Sequence, residues 1–155
     1  MADDATMRGD GVLEWRDQQG RLHRDDGPAR VFPSGREEWF RHGRLHRDDG
    51  PAVLHANGSY KWYRDGRRHR EGAPACVYVN GTEKWYRDGL RHRDDGPAAS
   101  YPDGRRIWFD QGKRVKEERP GPLVAPPAAA PREFQLSRSA SPMMMPSGPR
   151  RKQSR

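Results

Sequence analysis

Short runs in which apolar and polar residues alternate recur along the first two thirds of the chain, each bounded by Gly or Pro. PARVF, PAVLHA, PACVYV and PAASY each run into a turn pair (Ser34-Gly35, Asn57-Gly58, Asn80-Gly81, Asp103-Gly104), and EEWFR, YKWYR, EKWYR and RIWFD lead out of it. A period of two with aromatic and β-branched residues predicts strands, and Asn-Gly or Asp-Gly between two such runs predicts a β-hairpin closed by a two-residue type I′ turn. That turn sets Ala56 opposite Ser59 and Val53 opposite Trp62. The same register sets Arg30 opposite Trp39, Cys76 opposite Trp85 and Ala99 opposite Trp108. Neighbouring strand residues point to opposite faces, so the pattern predicts a Trp ladder on one face and a Phe/Tyr ladder on the other.

The hairpins repeat at a fixed period. Gly20, Gly43, Gly66, Gly89 and Gly112 are spaced by 23 residues, as are His23, His46, His69 and His92, and Trp39, Trp62, Trp85 and Trp108. Four units follow, 20–42, 43–65, 66–88 and 89–111. Asp10-Gly11 before Trp15, and Gly112 to Pro120, read as worn terminal units, with one extra residue ahead of Gly20. A lone hairpin is marginal in water, whereas stacked ones share a continuous surface. The expected fold is all-β: an elongated antiparallel sheet of stacked β-hairpin repeats over residues 10–120, after a flexible N-terminus at 1–9. Residues 121–155 are rich in Pro, Ala and Ser, hold no Trp or Tyr, and are expected to be a disordered tail.

Composition changes the picture in two places. The chain is 32% hydrophobic and 34% charged, so aromatic rings must supply much of the buried surface. The formal charge of +8 is unevenly placed: residues 1–112 carry 20 Lys and Arg against 19 Asp and Glu, and residues 113–155 carry 10 against 3. The basic character therefore belongs to the tail, which argues against a basic nucleic-acid-reading face on the repeats. Cys76 is the single cysteine, which fits a reducing compartment. The polar start MADDATMRGDG does not read as a secretory signal, and no apolar run approaches the ~18 residues of a membrane span. A soluble, intracellular protein is expected, cytoplasmic, or nuclear if the tail patch is an import signal.

Units of 23 residues with the order NG…W…DG…H resemble MORN repeats and their bacterial and viral variants, over roughly residues 10–120. The matching positions are the turn glycines Gly35, Gly58, Gly81 and Gly104, the Trp39, Trp62, Trp85 and Trp108 series, the unit-start Gly and the His three residues later. The resemblance implies hairpins stacked in a twisted antiparallel sheet that serves as a scaffold. The Tyr-x-Gly of typical MORN strands is missing, and RDDGPA replaces a short glycine-rich connection, so the lipid association known for some MORN proteins does not transfer.

Candidate chemistry concentrates in HRDDGPA, which starts at His23, His46 and His92, with HREGAPA at His69. Its HRD lacks the Asn, the Gly-rich loop and the separate metal-binding Asp that a kinase site needs. Metal binding by His46, Asp48 and Asp49 is chemically conceivable. Catalysis, however, wants one asymmetric constellation, and these residues are copied unit by unit. Gly and Pro suit the segment to a corner that starts a strand, with Arg and Asp pairing from unit to unit along one edge. No catalytic, cofactor or metal residue is therefore expected. The Trp ladder reads as core, and the RGD at Arg8–Asp10 as coincidence. Phe40, Tyr63, Tyr86 and Phe109 form the candidate interaction face, for another protein or a second copy. Arg150, Arg151, Lys152 and Arg155 form a basic tail patch that offers the alternative, weak binding to nucleic acid or an acidic surface.

Overall fold

The computed structural model describes residues 4–122. The first two strands are β1 (Thr6–Met7) and β2 (Leu13–Glu14). Four short strands then recur: β3 (Arg30–Val31), β4 (Glu37–Glu38), β5 (Phe40–Arg41) and β6 (Arg44–Leu45). The next set is β7 (Val53–Leu54), β8 (Tyr60–Lys61), β9 (Tyr63–Arg64) and β10 (Arg67–Arg68). The third is β11 (Cys76–Val77), β12 (Glu83–Lys84), β13 (Tyr86–Arg87) and β14 (Leu90–Arg91). The last strands are β15 (Ala99–Ser100), β16 (Arg106–Asp110) and β17 (Lys113–Glu118).

In each repeat the first pair enters a long antiparallel sheet of 11 strands, and the second pair forms a separate two-stranded ribbon beside it. The fold is all-β, as expected, but each unit builds two hairpins. Segment 1–9, expected to be flexible, carries β1, which pairs with β2. Backbone bonds from Arg8 N to Val12 O and from Gly11 N to Arg8 O close the turn between them.

The chain swivels from sheet to ribbon at Trp. Trp62 donates its backbone N–H to Ala75 O at 2.7 Å, and its carbonyl accepts from His69 N; Trp39 and Trp85 do the same with Ala52 and His46, and with Ala98 and His92. Ala29, Ala52, Ala75 and Ala98 are fully buried, so a larger side chain would have to displace its neighbours. In β16 and β17 sheet and ribbon stay continuous through Trp108, with a bulge between Trp108 and Phe109.

The two turns divide differently from the expected assignment. Positive φ at paired positions, the mark of type I′, occurs at Asp65-Gly66 (φ 49 and 79), Asp88-Gly89, His42-Gly43 and Gln111-Gly112. These are the tight ribbon turns, with Arg64 facing Arg67. At Asn57-Gly58 only the glycine has positive φ. His55 N bonds Ser59 O and Gly58 N bonds His55 O, so residues 56–58 make a three-residue loop, a type I turn closed by a glycine bulge.

That extra loop residue moves the register by one. Val53 faces Lys61, Arg30 faces Glu38, Cys76 faces Lys84 and Ala99 faces Ile107, in place of the expected Trp partners. A one-residue slip carries an arm to the other face of the sheet. Cys76 therefore packs with Tyr86, against which Tyr78 and Trp62 also rest.

Candidate functional site

The corner motif gathers His, Arg and Asp side chains into a hydrogen-bonded network. The Nδ1 atoms of His23, His46, His69 and His92 accept the backbone N–H of His42, Asp65, Asp88 and Gln111 at 3.0–3.1 Å. Those donors are the positive-φ residues of the ribbon turns, so each histidine caps the strained position of the following ribbon. Because a backbone N–H can only donate, the imidazole proton sits on Nε2. There it meets the first Asp of the motif: 2.8 Å for His46–Asp48 and 2.7 Å for His92–Asp94.

The arginine of the motif closes the other side. Arg24, Arg47, Arg70 and Arg93 lie 3.9–4.2 Å from the ring centroids of Trp15, Trp39, Trp62 and Trp85. Arg47 Nε also donates to Asp49 at 3.0 Å and its Nη1 to Pro51 O at 3.3 Å. In the final unit, which lacks HRDD, Lys116 covers Trp108 at 4.6 Å. Arg41 reaches across to Asp48 at 2.9 Å, and Arg87 to Asp94, whereas the arginines of the motif, expected to pair from unit to unit, pair with the second Asp of their own corner. The hydrogen bonds from His46 and then Arg41 hold the Asp48 carboxyl below its ordinary pKa; for Asp94 the order is Arg87, then His92.

Phe40 and Tyr63 line the clefts between the corners beside Trp39 and Trp62. Phe40, Tyr63 and Phe109 are half-buried and Tyr86 is buried. Arginines contact these rings. Arg68 donates to the hydroxyls of both Tyr63 and Tyr86 (3.2 and 3.1 Å), and Arg91 to Tyr86 at 3.2 Å, with its guanidinium also 5.1 Å from the Phe109 centroid. Lys61 and Lys84 flank the Tyr78 ring at 5.9 and 5.1 Å. Among the described residues none of these four cations forms an ion pair, whereas Arg41, Arg47, Arg87 and Arg93 at the corners do. At the N-terminal end of the sheet the charges are matched: Arg30 joins buried Glu14 and Glu38 at 2.9 and 3.5 Å.

Cys76 lies beneath this cationic group, fully buried. Burial pushes its thiol up, against the pull of Arg68, Lys61, Lys84 and Arg91, which removes thiolate character. His55, beside Lys61, is lowered by burial and then by Lys61 and Arg36. Among the described residues no three or more His, Cys, Asp or Glu side chains gather where a metal could be held, and no helix is long and apolar enough to cross a membrane. The tail patch Arg150, Arg151, Lys152 and Arg155 lies outside the described residues.

Of the four rings expected along one face, Tyr63, Tyr86 and Phe109 are linked by Arg68 and Arg91, Tyr86 being part of the buried core, and Phe40 lies 5.6 Å from Arg30 instead. The reading from sequence missed their cationic partners. The signal was present, since Lys61 and Lys84, like Arg68 and Arg91, are spaced by the same 23 residues. No family model matches this chain, and no curated protein matches it either.

Proposed function

We propose that this protein is a non-catalytic, MORN-like repeat scaffold that binds an acidic segment of a protein partner through the surface around Tyr63 and Tyr86. The observation that carries the reading is the cluster of Lys61, Arg68, Lys84 and Arg91 around Tyr78 and Tyr86, with no carboxylate paired to it among the described residues. Partly buried cations attract an anionic group more strongly than fully solvated ones, and aromatic neighbours add contact area. The His, Arg and Asp side chains that would suggest chemistry are engaged instead in capping turns and covering Trp rings. The test is capture of partners by the full chain, followed by Lys61→Glu/Lys84→Glu and by Tyr63→Ser/Tyr86→Ser. The reading requires that a partner with an acidic contact segment is lost in both variants; a partner retained by both removes this face from consideration.

A second reading rests on the charge of the tail, 10 basic against 3 acidic residues over 113–155, and assigns weak nucleic-acid or acidic-surface binding to it. Binding of this kind falls steeply with salt and disappears when residues 121–155 are deleted.

A further inference from the structure

Four corners in one chain act as internal controls for one another. In the first, second and fourth, the motif supplies two carboxylates: one for His Nε2 (3.2, 2.8 and 2.7 Å) and one for Arg Nε (3.0, 3.0 and 2.8 Å). The third corner, HREGAPA, supplies neither at bonding distance. Glu71 stands 3.6 Å from His69 Nε2, beyond a hydrogen bond, and Gly72 replaces the second Asp. His69 is 8% exposed and its Nε2 is buried without a partner. The nearby Trp85 Nε1 is in the same condition.

The three substitutions in this corner belong together. At Gly27, Gly50 and Gly96 a Cβ would come within 2.7–3.0 Å of the stacked arginine. Ala73 stands at that position in the third corner, and the chain takes a different path through Gly72 at φ 69. The third corner lines a cleft of about 660 Å³ towards the fourth corner and one of about 350 Å³ towards the second; the cleft between the first and second measures about 370 Å³. The result of the substitutions is a change of charge, because the wall contributed by the third corner has lost one carboxylate and kept Arg70. Arg64, whose equivalents Arg41 and Arg87 pair with Asp48 and Asp94 of the corners below them, turns to Asp88 at 3.2 Å.

We propose that the cleft between the third and fourth corners binds a dicarboxylate, whose two carboxylates take the places that the two Asp of the other corners fill. Arg70 Nε is the donor to the one absent at Gly72, and the Nε2–H of His69 is the donor to the one that Glu71 leaves unfilled, the Arg70 bond being charge-assisted on both sides. Glu71, its side chain 84% exposed and no nearer than 3.6 Å to His69 and 3.7 Å to Arg64, swings aside to admit it. The two carboxylates come either from neighbouring Asp or Glu side chains of a partner protein or from a free small dicarboxylate.

The experiment is NMR titration of full-length protein carrying isotope-labelled His and Trp, with blocked acetyl-Asp-Asp-Gly-amide in one arm and succinate in the other. Sodium chloride at matched ionic strength is the control. Saturable shifts confined to His69 and the Trp85 indole N–H are expected, and the tighter arm identifies the source. The variant Glu71→Asp/Gly72→Asp/Ala73→Gly rebuilds the corner that already folds three times in this chain. It is expected to weaken binding about tenfold or more, as removal of a charge-assisted site predicts. Asp48→Glu/Asp49→Gly/Gly50→Ala, the reverse change in the second corner, is expected to add a second site reported by His46. Equal binding by the rebuilt variant, equal shifts at all four corner histidines, or no saturable shift with either probe would overturn the proposal.

Discussion

His46 Nδ1 accepts the backbone N–H of Asp65 at 3.0 Å, and Asp65 is held at φ 49. The bond spans 19 residues and fastens the corner after one ribbon to the turn of the next. His46→Leu removes the acceptor of a part-buried hydrogen bond, which costs about 0.5–1.5 kcal/mol. His46→Asn, whose Oδ1 takes the place of Nδ1, recovers part of that loss. Urea unfolding followed by Trp fluorescence checks both; a Leu variant as stable as wild type would refute the bond's role.

The loop at 56–58 predicts a proline effect. Ala56 is the first loop residue, at a position where Pro33 and Pro102 stand in other units, and proline fixes the negative φ that a type I turn needs there. Ala56→Pro is expected to leave stability unchanged or raise it by about 0.4–1 kcal/mol, through the unfolded chain. Gly58→Ala, at φ 89, is expected to lower it. Thermal unfolding of the two variants distinguishes this loop from a type I′ turn, which would also place Asn57 at positive φ.

Arg47 and Arg70 make the same stack on Trp39 and Trp62, but only Arg47 is also held by an aspartate. Arg47→Gln therefore removes a cation–π contact and a charge-assisted bond, about 1–3 kcal/mol together. Arg70→Gln removes the contact without the aspartate bond and costs less. Urea midpoints that fall in the reverse order would contradict the assignment.

Acid tests the outer side of the corners. Asp48 and Asp94 are held below an ordinary aspartate value of 3.8 by His46 and Arg41, and by Arg87 and His92. Because the folded pKa is the lower one, their stabilising effect is full above the unfolded value. It drains as pH falls below about 3.8 towards the folded pKa. The Asp48→Asn/Asp94→Asn variant is expected to lose stability at neutral pH and to show a shallower decline between pH 4 and 2. An unchanged slope in circular-dichroism acid titrations would count against these pairs.

Much of this architecture was legible in the spacing of Gly, His and Trp, because a repeat converts single weak signals into one strong one. The all-β class and the corner role of HRDDGPA follow from it. The register did not, although Pro33 and Pro102 lack the N–H that the residue closing a two-residue turn donates, and suit the first position of a type I turn, and so pointed to the longer loop. The second hairpin of each unit was hidden in Arg-Asp-Gly at 64–66 and 87–89, where flanking charged residues mask the strand pattern. The Trp–Arg stacks and the cations around Tyr86 depend on contacts between segments that lie apart in sequence, which periodicity alone cannot pair.

The corner histidines fasten each ribbon to the next, and amide hydrogen exchange measures this directly. In the wild-type protein the amides of Asp65, Asp88 and Gln111 are expected to exchange slowly despite lying in exposed turns, and in His46→Leu protection is expected to collapse at Asp65 while Asp88 and Gln111 stay protected. Fast exchange of all three in the wild type, or an Asp65 amide indifferent to the loss of His46, would contradict it.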